Sequence, residues 1–103
     1  MATTTTLDFG QLPRGAQLLL AYIVYDRLDE VQLLKSDPDG LALLDGGWIK
    51  ERPCRIFGVT AYQLSNEGMD KLDKIEDRVL SSVSEDELES YKDKKKAIYP
   101  WLW

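Results

Sequence analysis

From residue 12 onward the apolar positions Leu12, Ala16, Leu19, Leu20, Ile23, Val24 and Leu28 recur at spacings of three and four. That is the period of one face of a helix, and Pro13 suits its first turn, where an amide hydrogen is not needed. A long amphipathic helix is expected here. Asp29 followed three residues later by Gln32 has the form of a helix start, and Val31, Leu33 and Leu34 supply apolar surface, so a second, short helix is expected to run to Lys35–Asp37. Asp37 and Pro38 open a third helix with Leu41, Leu43 and Leu44 as its apolar face. Gly46 and Gly47 close it, since glycine takes the left-handed conformation of a helix end at little steric cost.

The pattern then changes. Trp48 to Leu64 is rich in β-branched and aromatic residues, with Pro53 and Gly58 inside it, and predicts a hairpin of two or three strands with Pro53 on an edge or at the tip. Ser65 caps a fourth helix that carries Met69, Leu72, Ile75, Val79, Leu80 and Val83 on one side. Ser84 and Glu87 form a capping box for a fifth, in which acids come first and Lys92, Lys94, Lys95 and Lys96 come last, as the helix dipole favours. The sum is a mainly α fold with a small β-hairpin, of the α+β class. It forms one unit with a short tail over 1–8, a core over 12–83 and a C-terminal helix with an aromatic tail over 84–103.

The stretch from Leu43 to Leu72 carries a resemblance. Leu44, Gly47 and Ile49 resemble the end of the third helix in winged helix-turn-helix regulators of the multiple-antibiotic-resistance and phenolic-acid-response families. Tyr62, Gln63, Leu64, Ser65, Asn66, Glu67, Gly68 and Leu72 resemble the segment by which those families leave the wing. The resemblance implies a winged helix-turn-helix with a C-terminal helical extension, in which Leu64 ends a strand in the core and Gly68 lets the next helix pass close to the preceding strand. It also implies that the third helix faces a DNA groove and that the terminal helices make a homodimer.

Composition narrows the chemistry. At 103 residues and 44% apolar, the chain suits one globular domain. It has no histidine and one cysteine, Cys54, which is expected to be a partly buried strand residue; no metal, cofactor or catalytic site is expected. No glycine-rich phosphate loop or nucleophile elbow is present, so the chain is not expected to be an enzyme. With no long apolar run and no positive, apolar start at Met1–Thr6, no membrane contact is expected and the expected location is cytoplasmic.

Charge narrows the partners. The net charge of −5 divides into −2 over Met1–Leu64, −6 over Ser65–Ser90 and +3 over Tyr91–Trp103. From Asp37 to Gly47 there are three aspartates and no base, a poor surface for reading a groove lined by phosphates. A protein-interaction or regulatory module is therefore expected, with Asp39 and Asp45 as contact residues. The alternative is a DNA-binding transcriptional regulator that uses Lys50, Arg52 and Arg55 on the wing. The tail around Tyr99, Trp101 and Trp103 is too apolar to stay solvated. Either it folds back between the first and fourth helices or it anchors a partner or a second copy of the chain.

Overall fold

The computed structural model describes residues 8–100. After a 3-10 turn at Phe9–Gln11 come α1 (Arg14–Tyr25), β1 (Val31–Leu34), α2 (Pro38–Asp45), β2 (Ile49–Arg52), β3 (Val59–Leu64), α3 (Asn66–Ser81) and α4 (Glu85–Ile98). Among the described residues these make four α-helices and a three-stranded antiparallel sheet in the order β1-β3-β2. No described helix is long and apolar enough to cross a membrane.

The long first helix forms as its periodicity predicts, but it ends at Tyr25 rather than Leu28. Arg27 takes a positive φ of 51° there and turns the chain back. α1 lies at the centre of the fold, packed against α2, α3 and α4. Ala16, Leu18, Leu19, Leu20, Ala21 and Ile23 are all buried, which accounts for an apolar run wider than a single stripe.

The second helix expected from Asp29 is instead the strand β1. Its residues alternate between buried Val31 and Leu33 and more open Gln32 and Leu34, the period of two that a strand requires. The partner that decides the matter is β3, against which Val31 pairs with Tyr62 and Leu33 with Thr60. A four-residue segment gains little as an isolated helix, whereas the ladder satisfies its backbone at once.

α2 starts as its Asp-Pro sequence dictates: the Asp37 carboxylate accepts from the amides of Asp39 and Gly40. Its apolar face is narrower than the leucines suggest. Leu43 is fully buried, while Leu41 is 43% exposed and points to solvent. Gly47, at φ 81°, reverses the chain after the helix, and buried Trp48 follows, its amide bonded to the Leu43 carbonyl at 2.9 Å. β2 then pairs with β3, with Ile49 opposite Leu64 and Arg52 opposite Ala61. Pro53 lies in the connecting loop, consistent with its missing donor, and Cys54 is in that loop too rather than in a strand.

Ser65 secures the junction of sheet and α3. Its hydroxyl accepts from the Gly68 amide at 2.9 Å and donates to the Gly47 carbonyl at 2.6 Å, while its own amide donates to the Trp48 carbonyl at 2.9 Å. α3 presses so closely on this corner that a β-carbon at Gly68 would overlap the Trp48 carbonyl oxygen. The close approach expected at Gly68 is thus real, but it is to the residue before β2 rather than to β3. Met69, expected on the buried side of α3, is 47% exposed. The capping box expected for α4 is half formed: Ser84 accepts from the Glu87 amide, but the Glu87 carboxylate turns away to pair with Arg14 at the start of α1.

Because the obstacle at Gly68 is backbone, Gly68→Ala should destabilise the domain by about 2 kcal/mol. Gly10→Ala, which meets nothing nearer than an Arg78 nitrogen at 3.9 Å, should be tolerated. Urea unfolding of the two variants followed by circular dichroism checks the contrast.

Candidate interaction surfaces

The densest set of ionisable groups lies inside the protein, where α4 crosses the start of α2. Lys95 Nζ donates to Asp37 Oδ2 at 2.7 Å and lies 3.0 Å from Asp39 Oδ2. The Tyr99 hydroxyl donates to Asp37 Oδ2 at 2.5 Å and accepts from the Leu34 amide at 3.2 Å. The Tyr91 hydroxyl donates to Asp39 Oδ2 at 2.8 Å. Helix spacing produces this convergence, since Tyr91, Lys95 and Tyr99 follow one another at i, i+4 and i+8 along one side of α4 and its end.

These contacts relocate two residues expected to meet a partner. Asp39 is turned inward, its side chain 17% exposed and engaged by Lys95 and Tyr91. Tyr99 is 1% exposed and belongs to the core, so the tail folds in at least as far as that residue. Lys95, one of the terminal lysines expected to complement the helix dipole, is the buried counter-ion. Trp101 and Trp103 lie outside the described residues.

The electrostatics follow from burial and pairing. Burial would push the Asp37 carboxyl up, but the hydrogen bonds from Lys95 and Tyr99 outweigh it and hold the group below its ordinary 3.8. The Tyr91 hydroxyl is pushed far up, first by burial and then by the charge of Asp39. Tyr99 is raised by burial and by its hydrogen bond to Asp37.

With those acids withdrawn, the outer face of α2 is Pro38, Leu41, Ala42, Leu44 and Asp45, which line a shallow depression. Asp45 stays exposed at its end, while the rest of the face is apolar. No side chain on it carries a hydrogen-bond donor.

The hairpin offers a different surface. Strand alternation sets Lys50 and Arg52 on one face of β2 and Ile49 and Glu51 on the other. Ile49 is core, so Lys50 and Arg52 share the outer face of the sheet with Gln63 and Gln32 of β3 and β1, and Glu51 is turned away from them. Arg55 is exposed in the loop beyond, beside Ile56 at 42% exposure and Phe57, which is fully exposed. Among the described residues, Lys35, Lys50, Arg52 and Arg55 form no ion pair, in contrast to Arg14, Lys71, Lys92 and Lys95. Of the three residues singled out by charge, Arg52 and Arg55 therefore line one depression with Ile56 and Phe57, while Lys50 lines another beside Asp29. An aromatic beside glycine in a turn bounded by Pro53 was the available sign of Ile56 and Phe57.

No family model, curated protein or solved structure matches the chain.

The inner cluster yields a stability prediction. The lowered Asp37 value contributes stability that is present above its unfolded value of about 3.8 and is lost as pH falls through the folded value. The raised tyrosines contribute stability that is complete below about 10 and is lost as pH rises beyond it. Thermal unfolding across pH should show a plateau that declines on both sides, and Asp37→Asn should flatten the acid limb. At neutral pH, Lys95→Met should cost about 3 kcal/mol by leaving buried carboxylates without their cation. Lys96→Met, on the exposed side of the same turn, should stay within about 0.5 kcal/mol.

Proposed function

We propose that this chain is a non-enzymatic interaction module of winged-helix type that binds a protein partner. Support for the scaffold comes from the order of α1, α2 and the β2–β3 hairpin, with α2 placed immediately ahead of the hairpin and a serine-capped helix after it. The departure is β1, a strand where the first helix of a helix-turn-helix pair would stand.

The observation that carries the functional reading is the outer face of α2. Reading base edges requires donors and acceptors that match each base pair, supplied by Arg, Lys, Asn or Gln side chains. This face instead presents Pro38, Leu41, Ala42 and Leu44 with one carboxylate at Asp45. Such a surface has nothing to offer a base edge and repels phosphate at its one charged point. It suits an apolar protein surface with a donor placed opposite Asp45, the usual anatomy of a small interface with an apolar centre and a polar rim. Catalysis has no part in this reading, because Asp37, Asp39, Tyr91, Lys95 and Tyr99 are committed to one another in the interior.

Self-association is one form of such binding, with Trp101 and Trp103 as the anchoring side chains. Its test must begin after Pro100, because removing Tyr99 would open the core. A chain ending at Pro100 should keep its helical circular dichroism and lose the dimer in sedimentation equilibrium. A monomeric full-length chain would exclude the homodimer.

The main test is capture of partners from an extract of the native host on immobilised full-length chain, with and without nuclease. A specific protein should be retained through nuclease treatment and lost with Leu41→Asp, a change at an exposed position that should leave folding intact. Retention of nucleic acid alone, or retention indifferent to Leu41→Asp, would overturn the reading.

A further inference from the structure

We infer that the tip of the hairpin is a docking site for an acidic protein segment in which carboxylates are interspersed with apolar side chains. This rests on the protein-binding reading above and names the chemistry of one partner contact, on a surface separate from α2.

Two features of the tip call for different complements. Arg52, Arg55 and Lys35 border one concave surface with Ile56 and Phe57, which holds a single acid, Glu51, against the three cations, and none of the three has an ionic partner among the described residues. Phe57 is fully exposed and Ile56 is 42% exposed, though covering either in an apolar contact is favourable. Arginine and aromatic residues are also the types that carry most interface energy when water is excluded around them. A ligand of carboxylates alone leaves Phe57 wet, and an apolar ligand alone strands the arginines. A segment carrying both satisfies both.

Charge distribution favours a short peptide over a nucleic acid. The stretch Trp48–Leu64 carries +2 within a chain of −5, so the remainder stands at −7. The basic patch is also bounded: Asp29 lines the same depression as Lys50, next to Asn66 at the start of α3. A duplex sets one charge every ~1.7 Å along its axis and would carry phosphates from the wing across these acidic flanks. An acidic segment places its carboxylates only where the cations are. The reach of the attraction is about 10 Å at moderate salt, so only charges close to the tip contribute to it.

The probe is a fluorescein-labelled dodecapeptide in which glutamate alternates with leucine and phenylalanine. It is titrated by fluorescence anisotropy against the full-length chain in about 50 mM salt. Two control peptides replace all glutamates by glutamine, or all apolar residues by serine. The acidic apolar peptide should bind, each control should bind about tenfold more weakly, and amide shifts in a nitrogen-15 correlation spectrum should concentrate at residues 50–60. Arg52→Glu combined with Arg55→Glu, and separately Phe57→Ser, should each weaken binding about tenfold or more. Circular dichroism should stay unchanged because all three positions are exposed. Binding indifferent to these changes, or equal affinity for the glutamine peptide, overturns the inference. So does displacement of the peptide by a labelled oligonucleotide at equal charge, which would assign the tip to nucleic acid. Leu41→Asp should leave peptide affinity unaltered. If the peptide fails while Leu41-dependent capture of a protein persists, only the wing inference falls; loss of both removes the protein-binding reading itself.

Discussion

One carboxylate holds three elements in register. Asp37 uses one oxygen to cap α2 and the other to receive Lys95 and Tyr99, and Tyr99 in turn accepts from the Leu34 amide at the end of β1. The sheet, the helix ahead of the hairpin and the end of α4 are thus joined at a single buried anion. Neutralising an acid in the interior is worthwhile only when its remaining lone pairs are also satisfied, and here they are. Asp39 extends the arrangement by sharing Lys95 and receiving Tyr91, so α4 is fixed along two of its turns.

This clasp decides what α2 presents to the outside. Judged by sequence alone, the helix is acidic. In the folded protein two of its three aspartates are spent internally, and the solvent side is mostly aliphatic. The same folding leaves the cations of the hairpin without ion pairs among the described residues, while Arg14 on α1, Lys71 on α3 and Lys92 and Lys95 on α4 are paired. The protein is therefore negative in sum but offers an apolar patch on α2 and a positive, aromatic tip on the hairpin. Net charge is a poor guide to either.

Where a local rule had no competitor, the sequence was readable. The caps at Asp37, Ser65 and Ser84, the turn at Gly47 and the loop position of Pro53 each follow from a few adjacent residues. β1 was missed because Asp29 and Gln32 satisfy a helix-start pattern that only the distant pairing with β3 overrides. The roles of Asp39 and Tyr99 were missed for a related reason, since a charge and a phenol more than fifty residues apart carry no mark that they will meet. Lys95 was hidden among its neighbours: four lysines close together look alike until α4 is rotated against α2. By contrast, the basic hairpin was legible from Lys50 and Arg52, which strand alternation sets on one face, with Arg55 in the loop that follows.

The clasp also sets a timetable for synthesis. Asp37 and Lys95 are 58 positions apart, and Tyr99 lies farther still. At ~5–20 residues per second, a ribosome needs about 3 to 12 seconds to make the chain between the anion and its cation. Throughout that interval the Asp37 side chain can cap α2 but lacks its native counter-ion, and a buried carboxylate without one is costly. α2 can thus be capped as soon as Asp37 to Gly40 are made, but the surroundings that Asp37 has in the folded protein are complete only once Lys95 and Tyr99 have followed.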